Sequence, residues 1–143
     1  MLRAMSIRFV NPPDLFCPPG YAHAAVIGGG RLVFVAGQTA LDRDGRVVGG
    51  GDLEAQADQA FGNLASALAA VGCGPAQVAK LTVFIRDMRQ IAAYRRARDR
   101  FLAGAAPPAT PAITLVEVSR LFHDDLLIEI EAVAAAPEAP GRP

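Results

Sequence analysis

Glu129 and Glu131 stand two residues apart in a segment that alternates like a strand, so both carboxylates should point to one face, a placement suited to acid/base chemistry. The same spacing also fits a solvent-facing or core-capping pair. Tyr21 and His23 repeat this spacing near the N-terminus, and His23 is either a second polar group at a cleft or a packed structural residue. His123, Asp124 and Asp125 are consecutive; three potential ligands packed in sequence do not make a closed coordination shell, so a turn is expected and no metal. Cys17 precedes Pro18-Pro19 and Cys73 follows a helix-ending glycine. Neither has C-x-x-C spacing, which favours a reduced, cytoplasmic chain, although Cys17 near a cleft edge is open to a reactive role. Gly49-Gly50-Gly51 lacks the Lys-Ser/Thr of a phosphate loop and precedes the acidic Asp52, so it reads as a lead into a helix.

The elements that must hold these residues follow from periodicity. Apolar runs over Tyr21–Ile27 and Arg31–Ala36 flank Gly28-Gly29-Gly30 and predict a β-hairpin. Asp42 to Gly45 is a turn signal, followed by a short strand at Val47-Val48. Asp52 is a candidate N-cap for a helix whose apolar stripe runs from Leu53 to Val71, with Gly72 as its stop. Val78 to Arg86 alternates as a strand, with Ala79, Leu81, Val83 and Ile85 on one face. A second helix spans about Arg89 to Leu102, with Ile91, Tyr94, Ala97 or Arg98, and Phe101 along one stripe. Ala112–Val118 and Leu126–Ala134 complete the set. The expected fold is α+β: a six-stranded mixed sheet with two helices on one face. Phe84, Val116, Val118 and Ile128 would crowd the other face, and self-association would cover them. The domain is expected to span residues 1–136, with Met5 an equally good start and 137–143 a flexible tail.

Composition narrows the partners. The 143 residues are 52% apolar and 6% aromatic, without Trp, so aliphatic side chains must fill one core. Fourteen basic residues balance fourteen acidic ones, which leaves no global field for nucleic acid or an anionic membrane. No apolar run approaches the ~20 residues of a membrane span. A small-molecule ligand and other copies of the chain are the expected partners. The basic run Arg95-Arg96-Ala97-Arg98-Asp99-Arg100 lacks interleaved aromatics beyond Tyr94 and reads as a solvated helix face rather than a nucleic-acid patch.

Four blocks in order resemble the RidA/YjgF family, also called L-PSP endoribonuclease-like. They are Val33-Phe34-Val35-Ala36-Gly37-Gln38; Gln56 to Leu64; Lys80-Leu81-Thr82-Val83-Phe84-Ile85-Arg86-Asp87; and Val116-Glu117-Val118 with Ile128-Glu129-Ile130-Glu131-Ala132. The resemblance implies a chorismate-mutase-like homotrimeric barrel with clefts between subunits that hold small carboxylates. It also implies hydrolysis of reactive enamines and imines without metal or cofactor. By the same resemblance, Glu129 matches the glutamate that positions the attacking water, and Tyr21 a cleft tyrosine that hydrogen-bonds substrate. Arg120 matches a second family arginine, while Asn63 and Gln38 match amides read as structural. The arginine that grips the substrate carboxylate is replaced by Ile113 in Pro111-Ala112-Ile113. An isoleucine leaves an anion unpaired, so ordinary 2-imino acids should bind poorly unless another cation takes over.

These readings name Tyr21 and Glu129 as candidate catalytic residues and Ile113, His23 and Arg120 as candidate cleft residues. The leading expectation is a deaminase-like hydrolase of a small reactive metabolite. The alternative is a non-catalytic ligand-binding or enzyme-docking module using the same cleft, with an endoribonuclease third.

Overall fold

A computed structural model describes residues 6–138. The elements are β1 (Ile7–Val10), β2 (Ala24–Ile27), β3 (Arg31–Gln38), α1 (Leu53–Ala69), β4 (Val78–Ile85), α2 (Ile91–Leu102), β5 (Ala112–Glu117) and β6 (Ile128–Ala136). Alternation along β4 sets the architecture: Leu81, Val83 and Ile85 are buried, while Lys80, Thr82 and Phe84 on the other face are only half-buried. Antiparallel β6 and parallel β5 flank β4, and β3 adds antiparallel to β6, giving the order β3-β6-β4-β5. A parallel pair needs a crossover, which α2 supplies between β4 and β5.

Both helices cover the face bearing Leu81, Val83 and Ile85. Asp52 accepts a hydrogen bond from the Ala55 N–H at 3.1 Å, capping α1. From there Leu53, Ala57, Phe61, Leu64 and Leu68 enter one core with Ile128 and Ile130. Each large apolar side chain buried there contributes about 1.5–3 kcal/mol. Phe61 stacks on Phe101 of α2 with ring centroids 4.9 Å apart, fastening the helices to each other.

Buried amides tie this layer to the loops. Gln56 is fully buried; its Nε2 donates to the Asp125 carbonyl at 2.8 Å and its Oε1 accepts from the Leu127 N–H at 2.8 Å. It therefore pins the chain entering β6. Asn63 Nδ2 donates to the Thr39 and Leu41 carbonyls at 2.9 and 2.8 Å, cross-linking α1 to the segment after β3 as expected of a structural amide. Gln38, by contrast, bonds within its own strand, to the Ala36 carbonyl.

The α+β class, the two helices and the alternation of β4 agree with the sequence reading, but the strands divide differently. Four form the main sheet; β1 and β2 form a separate antiparallel pair, and Ala22, just before β2, makes an isolated parallel bridge to Ala112 of β5. The expected hairpin across Gly28-Gly29-Gly30 is absent, because β2 pairs with β1 and β3 pairs with β6. Gly30, at a φ of 97°, turns the chain from one sheet into the other. A local turn signal marks where a chain bends, not which strands it joins. Val47 makes one bridge to Leu41 rather than a strand, and Ile128 lies in the helix-covered core, not on the opposite face. Residues 1–5 and 139–143, including Met5 and most of the expected tail, lie outside the described residues.

The basic run on α2 is largely neutralised. Arg96 and Arg100 reach Glu54, each at 2.9 Å, and Arg100 also reaches Asp58 at 2.9 Å. Hydrogen bonds from Arg96 and then Arg100 hold the Glu54 carboxyl down at about 2.

Two outcomes follow from these contacts. Gln56→Leu leaves the Asp125 carbonyl and Leu127 N–H unpartnered and should destabilise the protein by about 2–5 kcal/mol in urea denaturation at fixed protein concentration. Because the folded Glu54 carboxyl titrates below its unfolded value of 4.5, its stabilisation is present above that pH and is lost as pH falls towards about 2. Glu54→Gln should flatten that acid limb of a thermal-melting series, and high salt should shrink the difference.

Candidate functional site

Strand register separates the candidate residues. Ile113 and Leu115 lie beside Leu81 and Val83, on the helix-covered face of the sheet. Glu129 lies beside Phe84 and Glu131 beside Thr82, on the opposite face. A period of two admits no exception between neighbouring strands in register, so Ile113 and Glu129 of one chain cannot face one cleft.

On the open face, the register of β3 against β6 slips by one residue between Val35 and Gln38. Gly37 falls in this irregularity, and the Glu129 side chain lies directly over it. A Cβ at Gly37 would overlap Glu129 Oε1 and sit 2.8 Å from its Cδ. The glycine of the Val-Ala-Gly-Gln block thus provides the seat for the carboxylate. An open cleft of about 410 Å³ beside it is lined by Phe84, Val118, Arg120, Phe122, Glu129 and Glu131. Arg120 and Glu129 are therefore brought together. Leu32, Phe34, Val116 and Phe122 stand exposed, Phe34 at 75%.

A second pocket, of about 170 Å³, opens where the helix-covered face meets the edge of β5, and Tyr21 and Ile113 both line it. Tyr21 is held there because the neighbouring Ala22 N–H donates to the Pro111 carbonyl at 3.2 Å. Its other walls include Tyr94, Arg95 and Arg98 of α2. The sequence reading did not assign these three to a site. The available signal was Arg98 itself, a charged residue four positions from Tyr94 on the buried stripe of an amphipathic helix.

The remaining candidates have local partners. The His23 ring lies 6.1 Å from that of Tyr21, and its Nε2 is 2.6 Å from the Phe16 carbonyl oxygen, which ties it to the preceding loop. His123 Nδ1 accepts the Asp125 N–H at 3.1 Å, making the expected turn. Cys17 is exposed and Cys73 buried; burial pushes the Cys73 thiol upward, away from reactivity. Among the described residues no group of three or more His, Cys, Asp or Glu side chains is placed to hold a metal ion. None of their helices is long and apolar enough to cross a membrane.

Residues 18–136 match the family model described as Endoribonuclease L-PSP. A RutC family protein of Synechocystis sp. is 37% identical over 134 residues, covering 93% of this chain and 99% of that one. A 2-iminobutanoate/2-iminopropanoate deaminase of Salmonella typhimurium is 34% identical over 106 residues, covering 73% of this chain and 80% of its own. The crystal structure of a conserved Rid family protein, YyfB, from Yersinia pestis superposes with a TM-score of 0.82 at 34% identity, covering 90% of this chain and 98% of that one. The four blocks, the sheet order and these matches agree, and the chain belongs to the RidA/YjgF family.

Proposed function

We propose that this chain is a deaminase-like hydrolase of small reactive imines or enamines, with a site completed between copies of the chain. The observation that carries the reading is the seating of Glu129 over Gly37, on a face whose exposed Phe34, Leu32 and Val116 need cover. A neighbouring copy would cover them in a threefold assembly. In that arrangement Tyr21 and Ile113 of one copy meet Glu129 of another, which reconciles opposite sheet faces with one cleft. The Salmonella deaminase at 34% identity supports the reaction class.

The chemistry needs little from the protein. An enamine first tautomerises to its imine. A water held by the Glu129 carboxylate gives it one proton as its oxygen adds to the imine carbon; the C=N pair moves to nitrogen, which takes that proton back from Glu129. The carbinolamine hydroxyl then passes its proton through Glu129 to the amine as the C–N bond breaks, releasing ammonia and leaving a carbonyl, with no change of redox state. Tyr21 would donate a hydrogen bond to the substrate from the facing wall. A ribonuclease reading draws little support, since Arg96 and Arg100 are engaged by Glu54 and Asp58. The binding-module reading is favoured by one observation, Ile113 in place of the gripping arginine.

Imine and enamine decay followed by absorbance should be accelerated by the wild-type chain. Glu129→Gln should lower kcat by about a hundredfold or more with KM little changed. Gly37→Ala should do the same by displacing the carboxylate. Unchanged decay with the wild-type chain, across neutral and carboxylated substrates, would instead leave a binding module. Co-refolding Glu129→Gln with Tyr21→Phe chains should restore part of the activity that each lacks alone. No recovery in mixed oligomers would sink the shared site.

A further inference from the structure

The pocket beside Tyr21 and Ile113 carries its own cation. The Arg98 side chain is only 8% exposed, although its partner Asp99, at 2.9 Å, is 64% exposed. A buried guanidinium whose one counter-ion among the described residues is largely in water is incompletely compensated. Nε and Nη2 are both turned to the same Asp99 oxygen. Among the described residues Nη1 has no hydrogen-bonded acceptor, so one edge of the fork remains free for a ligand.

Three further features point to the same place. Tyr94 is 1% exposed and lines the pocket; Arg98 lies close to its Oη, but no group among the described residues forms a well-aligned hydrogen bond with it and its O–H has no acceptor. Burial pushes its hydroxyl up to about 12, while the charge of the adjacent Arg98 and its approach to the hydroxyl oxygen oppose that rise, so at neutral pH the O–H remains a donor. A buried hydroxyl with no acceptor is destabilising until one reaches it. Gly20, at a φ of 77°, leaves the space that the guanidinium occupies; a Cβ there would stand 3.0 Å from Arg98 Cζ. Arg95 lines the pocket mouth without an ion-pair partner among the described residues.

We propose that Arg98 and Tyr94 Oη form a carboxylate-binding subsite, in which a small monocarboxylate is held by Arg98 Nη1 and the tyrosine hydroxyl while its apolar tail lies against Ile91, Ile113 and Leu115. The apolar walls favour a short organic acid over inorganic phosphate, and the volume of about 170 Å³ admits a molecule of a few carbons. The replacement of arginine by Ile113 then relocates the anion's partner from β5 to α2 instead of abolishing it. This deepens the hydrolase reading by naming an acidic substrate, but binding alone tests it.

Calorimetric titration of the full chain with butanoate, its neutral isostere butanamide and inorganic phosphate is the direct experiment. Butanoate should bind at least tenfold more tightly than either. Arg98→Gln should lose that preference, with Arg98→Lys keeping part of it. Tyr94→Phe should weaken butanoate several-fold while leaving the ligand-free melting temperature unchanged or higher, which keeps the test intact if Arg98→Gln fails to fold. Equal binding of butanoate and butanamide, phosphate as tight as butanoate, or undiminished butanoate binding in Tyr94→Phe would each overturn the subsite. Butanoate selectivity in a chain without hydrolase activity would uphold the subsite and overturn only the catalytic reading. Hydrolase activity in a chain that binds butanoate and butanamide equally would overturn only the subsite.

Discussion

The strict two-residue alternation of β4 is the constraint on which the structure depends. Once Leu81, Val83 and Ile85 are committed to the core beneath the helices, register assigns every residue of β5 and β6 to a face. Ile113 and Leu115 must face the helices, and Glu129 and Glu131 must face away. No side-chain rearrangement reverses this, because moving one residue across would require slipping a whole strand and exposing its apolar set. A catalytic pairing across the sheet is thereby closed to a single chain, and a role for its two faces in one reaction requires a neighbour.

The two faces differ in how their polar groups are satisfied. Beneath and between the helices, Gln56 and Asn63 saturate backbone groups at loop junctions, while Glu54 and Asp58 hold Arg96 and Arg100 across the helix pair. These contacts fix the frame. At the sheet edge the pairing is incomplete: among the described residues one edge of Arg98 and the Tyr94 O–H lack acceptors beside an apolar hollow. On the open face, Glu129 is seated by the missing side chain of Gly37. Satisfied groups build the scaffold, and the unsatisfied ones collect where a ligand could enter.

Ile113 illustrates how a substitution read alone can mislead. As a local change it removes the cation expected to grip the carboxylate. In the folded chain its neighbours include Arg95 and Arg98, which are eighteen and fifteen positions earlier in sequence and reach the pocket because α2 is the crossover from β4 to β5. A parallel connection brings the end of that helix back over the strand it feeds, which makes such compensation available.

The sequence alone determined what local periodicity and side-chain chemistry determine: the two helices and the Asp52 cap, the alternation of β4, the shared face of Glu129 and Glu131, the His123 turn and the family. It did not disclose that β2 pairs with β1 rather than β3, because Gly28-Gly29-Gly30 specifies a bend and not a partner. Nor did it disclose the split of the candidate residues between two faces, since that is a property of register among β4, β5 and β6. The Gly37 seat and the Arg98–Tyr94 pair arise only when segments distant in sequence are packed together. Local pattern fixes what an element is, whereas long-range pairing decides which side chains meet.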